Sequence, residues 1–179
     1  MDERRPRHLD REGLWNYALR ALGGRAYSTG EMREKLGRRA ERADDVEATL
    51  ARLKESKYLD DRQFAESYAT ARLSNERFGK TRVLQDLRHR RVAPALAEKT
   101  VHAVYQDVDE SALIEEWIRR KYRTSPREGL FQDDKDLASA YRRLLRAGFR
   151  TGEIVRALKK FAADPGLLDN FEPPEEAEE

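Results

Sequence analysis

The sequence predicts an all-α chain of three tandem three-helix-bundle repeats, nine helices in an elongated, curved arrangement, and three observations carry the prediction. Strong helix formers dominate, and glycine and proline number only 10 and 6 in 179 residues, a composition that favours helices over strands and turns. Apolar residues recur at i, i+3 and i+4 in runs too short to persist as isolated helices. The same apolar run returns 51 residues later, and its later part returns again after a further 57. Self-similarity at such a period marks units that bury small cores and lean on their neighbours.

Residues 1–10 are polar, include Pro6 and lack periodicity, which predicts a mobile arm. The first repeat, 11–59, opens with Leu14, Tyr17, Ala18, Ala21 and Leu22 on one helical face, stopped by Gly23-Gly24. Ser28-Thr29-Gly30-Glu31 has capping-box spacing and starts a second helix that runs to about Arg39 and buries Met32 and Leu36. Asp44 and Glu47 repeat the capping logic for a third helix, which buries Val46, Leu50 and Leu53.

The second repeat, 60–107, restates these positions. Leu14, Tyr17 and Ala18 become Ala65, Tyr68 and Ala69; Tyr27 and Ser28 become Phe78 and Gly79; Leu36 becomes Leu87; Val46, Leu50 and Leu53 become Ala97, Val101 and Val104. Pro94 suits the first turn of the last of these helices, where its missing N–H costs nothing. In the third repeat, 108–163, a first helix from Asp109 to about Arg123 carries Leu113, Ile114, Trp117 and Ile118. Then Leu87 becomes Leu144, Val92 becomes Phe149, and Ala97, Val101 and Val104 become Ile154, Leu158 and Phe161. The extra residues fall between Ser125-Pro126 and Gln132, where a loop would take them.

Residues 164–179 hold seven acids and no base, so the net charge of +2 divides into +9 up to Ala163 and −7 beyond it. We expect this tail to be disordered and to weaken binding to anionic partners by mimicry. A basic body suits an anionic partner, although a solvated helical surface would also be charged. With no cysteine there are no disulfides, thiolate metal sites or thiol nucleophiles. No apolar run reaches the roughly 20 residues of a membrane span, and MDERRPRHLDRE lacks a signal-peptide core, so a cytoplasmic protein is expected.

Catalytic spacing is missing. His8, His89 and His102 are scattered, and Asp60-Asp61, Glu115-Glu116 and Asp133-Asp134 open or line predicted helices, where carboxylates complement the dipole. There is no Walker loop, nucleophile elbow or dinucleotide fingerprint, so neither enzymatic activity nor a cofactor or metal is expected. Basic density, by contrast, climbs along the chain: Arg77, Lys80, Arg82, Arg88, Arg90 and Arg91, then Arg119, Arg120, Lys121, Arg123 and Arg127, then Arg142, Arg143, Arg146, Arg150, Arg156, Lys159 and Lys160. Guanidinium forks suit phosphate or carboxylate. Part of this is structural: Arg82, Asp86 and Arg90 lie at i, i+4, i+8, where Asp86 can pair with either arginine, and the stems of Lys80 and Arg91 can lie over the apolar face. Tyr58, Tyr68, Phe78 and Trp117 sit at core spacing.

The run Tyr58-Leu59-Asp60-Asp61, followed by Phe64-Ala65, Tyr68, Arg72, Gly79, Arg82-Val83 and Leu87, resembles the signature of the RecX family of recombinase regulators. Ala18 to Leu22 with Ser28 to Met32 and Leu36 resembles that family's first repeat, and Arg142 to Phe149 with Ile154 its third. Two departures stand out: Asp86 replaces the glutamate before the leucine, and the Lys-Gly-hydrophobic exit reads Arg90-Arg91-Val92, without its glycine. The resemblance implies a non-enzymatic, monomeric regulator with three three-helix repeats. Such a regulator binds the helical groove of the RecA filament on DNA and dampens ATP hydrolysis, strand exchange and co-protease activity in recombination and the SOS response.

Contact residues are then expected among Arg72, Arg82, Arg88, Arg90, Arg91, Arg120, Lys121, Arg142, Arg143 and Arg146. Architecture is expected from Tyr58, Leu59, Asp60, Asp61, Phe64, Ala65, Gly79 and Leu87, with Asp60 and Asp61 starting a helix, Phe64 and Leu87 filling a core and Gly79 turning the chain. The alternative reading is a stand-alone basic helical protein that binds single- or double-stranded DNA directly; a purely structural adaptor is a third.

Overall fold

The computed structural model describes residues 8–122, 130–131 and 133–162. Among these, nine α-helices follow one another: α1 (Arg11–Gly24), α2 (Thr29–Gly37), α3 (Ala43–Glu55), α4 (Asp61–Ala71), α5 (Lys80–His89), α6 (Pro94–Val104), α7 (Glu110–Lys121), α8 (Asp134–Arg146) and α9 (Thr151–Phe161). A five-residue π turn, Arg72–Glu76, continues α4. The only pairings of strand type among the described residues are two isolated bridges, Leu9 with Ala40 and Phe131 with Ala162. The chain is all-α, as expected.

Arg123 and Arg127, the 164–179 tail and the expected insertion, apart from Leu130 and Phe131, lie outside the described residues. The mobile arm expected over 1–10 does not extend to its last residues. Leu9 donates its N–H to the Arg39 carbonyl at 2.7 Å, and Asp10 caps α1 through Gly13 N at 2.8 Å; residues 1–7 lie outside the description.

The described residues form two compact units, one drawn from Met1–Tyr68 and Asp86–Thr100, the other from Ala69–Gln85 and Val101–Glu179. In the first, α3 packs on α1 and α2, and Leu14, Ala18, Met32, Leu36, Val46, Leu50, Leu53 and Leu59 form one buried cluster. In the second, α9 packs on α7 and α8, and Leu113, Ile114, Trp117, Ile118, Leu137, Leu144, Ile154 and Leu158 are buried. The predicted core positions of the middle repeat are likewise buried at Ala65, Ala69, Leu87, Ala97 and Val101.

Four expectations need correction. The first helix of α1 to α3 to miss its predicted start is α3, which begins at Ala43 behind Arg42 with no side-chain cap; Glu47 instead takes two hydrogen bonds from Arg33, at 2.8 and 3.1 Å. Val104 is only half-buried, because Tyr105 turns into the interior in its place, where its hydroxyl donates to the Phe78 carbonyl at 2.7 Å, and Phe161 is half-buried with Arg119 5.8 Å from its ring centre. Phe64 is half-buried too, stacked on Tyr68 one turn along α4 instead of entering the core. Tyr58 is 54 % exposed, with its ring set edge-to-face against Trp15 at 6.1 Å.

Candidate functional site

The capping box at α2 is complete: Ser28 Oγ accepts from Glu31 N at 3.0 Å, and Glu31 accepts from Ser28 N at 3.2 Å. The Ser28 hydroxyl also donates to the Arg90 carbonyl, 62 residues away at the end of α5. Asp60 caps α4 by accepting from Arg62 N and Gln63 N at 2.9 and 3.0 Å, as its place in the sequence predicts. Asp61, expected to share that task, instead accepts the Thr29 N–H at 2.6 Å and so joins the starts of α2 and α4.

The exit of α5 keeps the geometry that the missing glycine would have supplied. Arg91 adopts φ +58°, Arg91 N donates to the Arg88 carbonyl at 2.8 Å, and Val92 N donates to Leu87 at 3.1 Å. This is the Schellman pattern, held here by an arginine in the left-handed region. Gly30 makes room for it: a Cβ on Gly30 would lie 2.5 Å from both the Cβ and the carbonyl oxygen of Arg91.

A second junction repeats the first at the same offsets. Gly79, the counterpart of Ser28, donates its N–H to the carbonyl of Ala147, the counterpart of Arg90, at 2.8 Å. Gly148, the counterpart of Arg91, has φ +89°, and α8 closes by the same two bonds, Gly148 N to the Leu145 carbonyl and Phe149 N to the Leu144 carbonyl. A Cβ on Gly79 would lie 2.5 Å from the Gly148 carbonyl carbon. Gly79 is thus a glycine of close approach: its φ is not positive, so the expectation that it turns the chain is replaced by this packing.

These junctions decide what the predicted contact residues are free to do. Arg90 reaches Glu31 at 3.2 Å and lies 5.5 Å from the Tyr68 ring centre. Arg91 pairs with Glu34 at 2.7 Å, so its head leaves the apolar face rather than lying over it. Arg88 pairs with Glu98 and Arg72 with Glu76, each at 2.9 Å. Arg82 stands 5.7 Å from the Phe78 ring, and Arg120 donates to the Asn75 carbonyl at 2.7 Å. Asp86 accepts from the Tyr68 hydroxyl at 3.3 Å.

Glu31 serves three donors. Burial alone would raise its pKa, but hydrogen bonds from Arg25 and Ser28 N and the charges of Arg25 and Arg90 hold it below the ordinary carboxylate value. Glu116 is lowered chiefly by a bidentate bond from Arg77, and Glu115 by Lys160 with help from Arg119. Arg150 is similarly engaged, with Glu110 at 2.6 Å. Sequence reasoning missed these glutamates as partners; the capping box pointed to Glu31, but only for its local role.

The cations left over are on α7 and α8. Arg142, Arg143, Arg146 and Lys121 are exposed and have no carboxylate partner among the described residues; Arg143 rests 5.8 Å from the Tyr122 ring. Arg142, Arg143 and Arg146 share one face of α8 at i, i+1 and i+4. Among the described residues, no three histidine, aspartate or glutamate side chains gather as a metal site would require. No described helix is long and apolar enough to cross a membrane.

Residues 15–53 match the family model "RecX, first three-helix domain", and residues 60–101 match "RecX, second three-helix domain". The chain is 35% identical to the regulatory protein RecX of Deinococcus radiodurans over 98% of its own length and 79% of that protein's. It is 27% identical to the regulatory protein RecX of Syntrophotalea carbinolica, over 82% of this chain and 94% of that one. The crystal structure of RecX from Lactobacillus salivarius superposes with a TM-score of 0.63 at 19% identity, covering 84% of this chain and 96% of that one. The chain belongs to the RecX family of regulatory proteins.

Proposed function

We propose that the chain is a non-enzymatic regulator that binds the helical groove of the RecA nucleoprotein filament and lowers RecA's ATP hydrolysis, strand exchange and co-protease activity, acting as a cytoplasmic monomer. The observation that carries this reading is the exposed face of Arg142, Arg143 and Arg146, which has no carboxylate partner among the described residues, in a chain of a family of regulators. Guanidinium groups left without an internal anion are available to an external one. Tandem repeats add a second element, since weak contacts made by linked units to successive protomers of a polymer reinforce one another through effective concentration.

Adding the protein to RecA, ATP and single-stranded DNA is expected to lower ATP turnover. Replacing Arg142 and Arg146 by glutamine is expected to weaken that effect about tenfold or more, with the thermal midpoint little changed because neither side chain is paired with a carboxylate among the described residues and no anion is placed at the end of α8. Unchanged turnover at saturating protein would sink the proposal.

The same arginines favour a second reading, direct binding to DNA phosphates. It requires RecA-free binding whose logarithm falls linearly with the logarithm of salt concentration, by roughly 0.7 to 0.9 per phosphate contacted. A flat salt response rejects it.

A further inference from the structure

A cleft of about 350 Å³ opens in the first unit, walled by four aromatic side chains, Tyr27, Tyr58, Phe64 and Tyr68. Tyr58 is the one large hydrophobic side chain left exposed among the described residues. Phe64 and Tyr68 stack at 6.0 Å with their planes 21° apart. Gln63 and Ser67 also line the cleft, at the same i, i+4 spacing along α4. The Gln63 amide group and the Ser67 hydroxyl are exposed to solvent at the rim of the cleft. The cleft therefore presents ring surfaces with an exposed polar strip beside them, while Asp60, also in its wall, is occupied in capping α4.

A second observation concerns charge. Among the described residues three non-glycine positions have positive φ, Lys57 at 57°, Arg77 at 58° and Arg91 at 58°, and all three are cations. Glycine would take this conformation without the steric cost that a Cβ brings. Two of these side chains have an evident use, since Arg77 holds Glu116 and Arg91 holds Glu34, each at 2.7 Å. Lys57 has no carboxylate partner among the described residues, and it lines the cleft.

A cation beside aromatic rings and solvent-facing amide and hydroxyl groups matches a ligand that combines a flat ring, a polar edge and an anion. An apolar peptide would leave Lys57, Gln63 and Ser67 unmatched. We propose that this cleft binds a nucleotide of single-stranded DNA, with its base on Tyr58 and Phe64, its base edge at Gln63 and Ser67, and its phosphate at Lys57. Aromatic platforms beside basic groups bind single strands in this way, because every base offers a π face. The proposal stands independently of the RecA reading.

The test uses the full chain without RecA and follows the anisotropy of a labelled oligo-dT against an abasic strand of equal length. Comparing the two strands isolates stacking from phosphate contacts made elsewhere on the protein. The intact strand is expected to bind about tenfold or more tightly than the abasic one, and Tyr58→Ala is expected to abolish that preference. Lys57→Gly is expected to weaken both strands severalfold while keeping or raising the thermal midpoint, since glycine accepts the left-handed backbone. Equal binding of the two strands, an undiminished preference in Tyr58→Ala, or full affinity in Lys57→Gly would overturn the proposal. So would uptake of an apolar peptide with no base-dependent DNA binding, which would assign the cleft to a protein partner.

Discussion

Helices α5 and α8 occupy equivalent places in successive repeats, yet their basic side chains serve different ends. Each helix closes on a left-handed residue, Arg91 or Gly148, and each presents its preceding carbonyl, from Arg90 or Ala147, to the start of a helix in the previous repeat. On α5 the neighbouring cations Arg88, Arg90 and Arg91 pair with Glu98, Glu31 and Glu34. On α8 the cations Arg142, Arg143 and Arg146 have no such partners among the described residues. A high local density of arginine is thus not in itself a binding surface; what matters is whether the fold supplies the counter-charge.

The sharpest way to break the comparison is at the glycine. Gly79→Ala sets a methyl group against the Gly148 backbone, which has no flexible end to move aside, so a loss of about 3 kcal/mol or more in unfolding free energy is expected by denaturant titration. A loss below about 1 kcal/mol would mean that the two repeats do not depend on that approach.

Next in size is Glu31→Gln, which removes the charge shared by Arg25 and Arg90. A loss of about 1.5 to 3 kcal/mol at neutral pH is expected, as for hydrogen bonds to charged groups. The sign with pH follows from the lowered pKa. Glu31 contributes stability that is fully present above its unfolded value near 4.5 and disappears as the pH falls through the lower folded value. The wild type and the variant should therefore converge in stability on acidification below that value, and a constant gap would contradict the charge account.

Arg91→Gly is expected to change stability least. Relief of the left-handed backbone, about 1 kcal/mol, offsets loss of the exposed pair with Glu34, worth up to about 1 kcal/mol, and the greater freedom of unfolded glycine. A net change within about 0.5 kcal/mol is expected in thermal melts.

Most of the architecture was legible because helix periodicity, capping residues and repeat offsets are local or regularly spaced signals. The capping box at Ser28, the Pro94 start of α6 and the buried Leu14, Leu36, Leu87 and Leu144 all follow from them. The contact residues were legible only as a density of charge. Arg90 and Glu31 are 59 residues apart, and Arg77 and Glu116 are 39 apart; nothing in the spacing of either pair announces the bond. Tyr58 and Phe64 misled for a related reason. Helical spacing says which residues share a face, but not whether a neighbour covers it. The close approach at Gly79 was hidden because glycine signals a turn and tight packing alike.

Three glutamates sit between a cation on their own segment and one far along the chain: Glu31 between Arg25 and Arg90, Glu34 between Arg38 and Arg91, and Glu115 between Arg119 and Lys160. Each acid is a hub, and each base is one of two spokes. Losing one spoke leaves the carboxylate still neutralised, whereas losing the hub strands two positive charges at once. Removing one of these bases is therefore expected to cost less stability than removing the glutamate it shares.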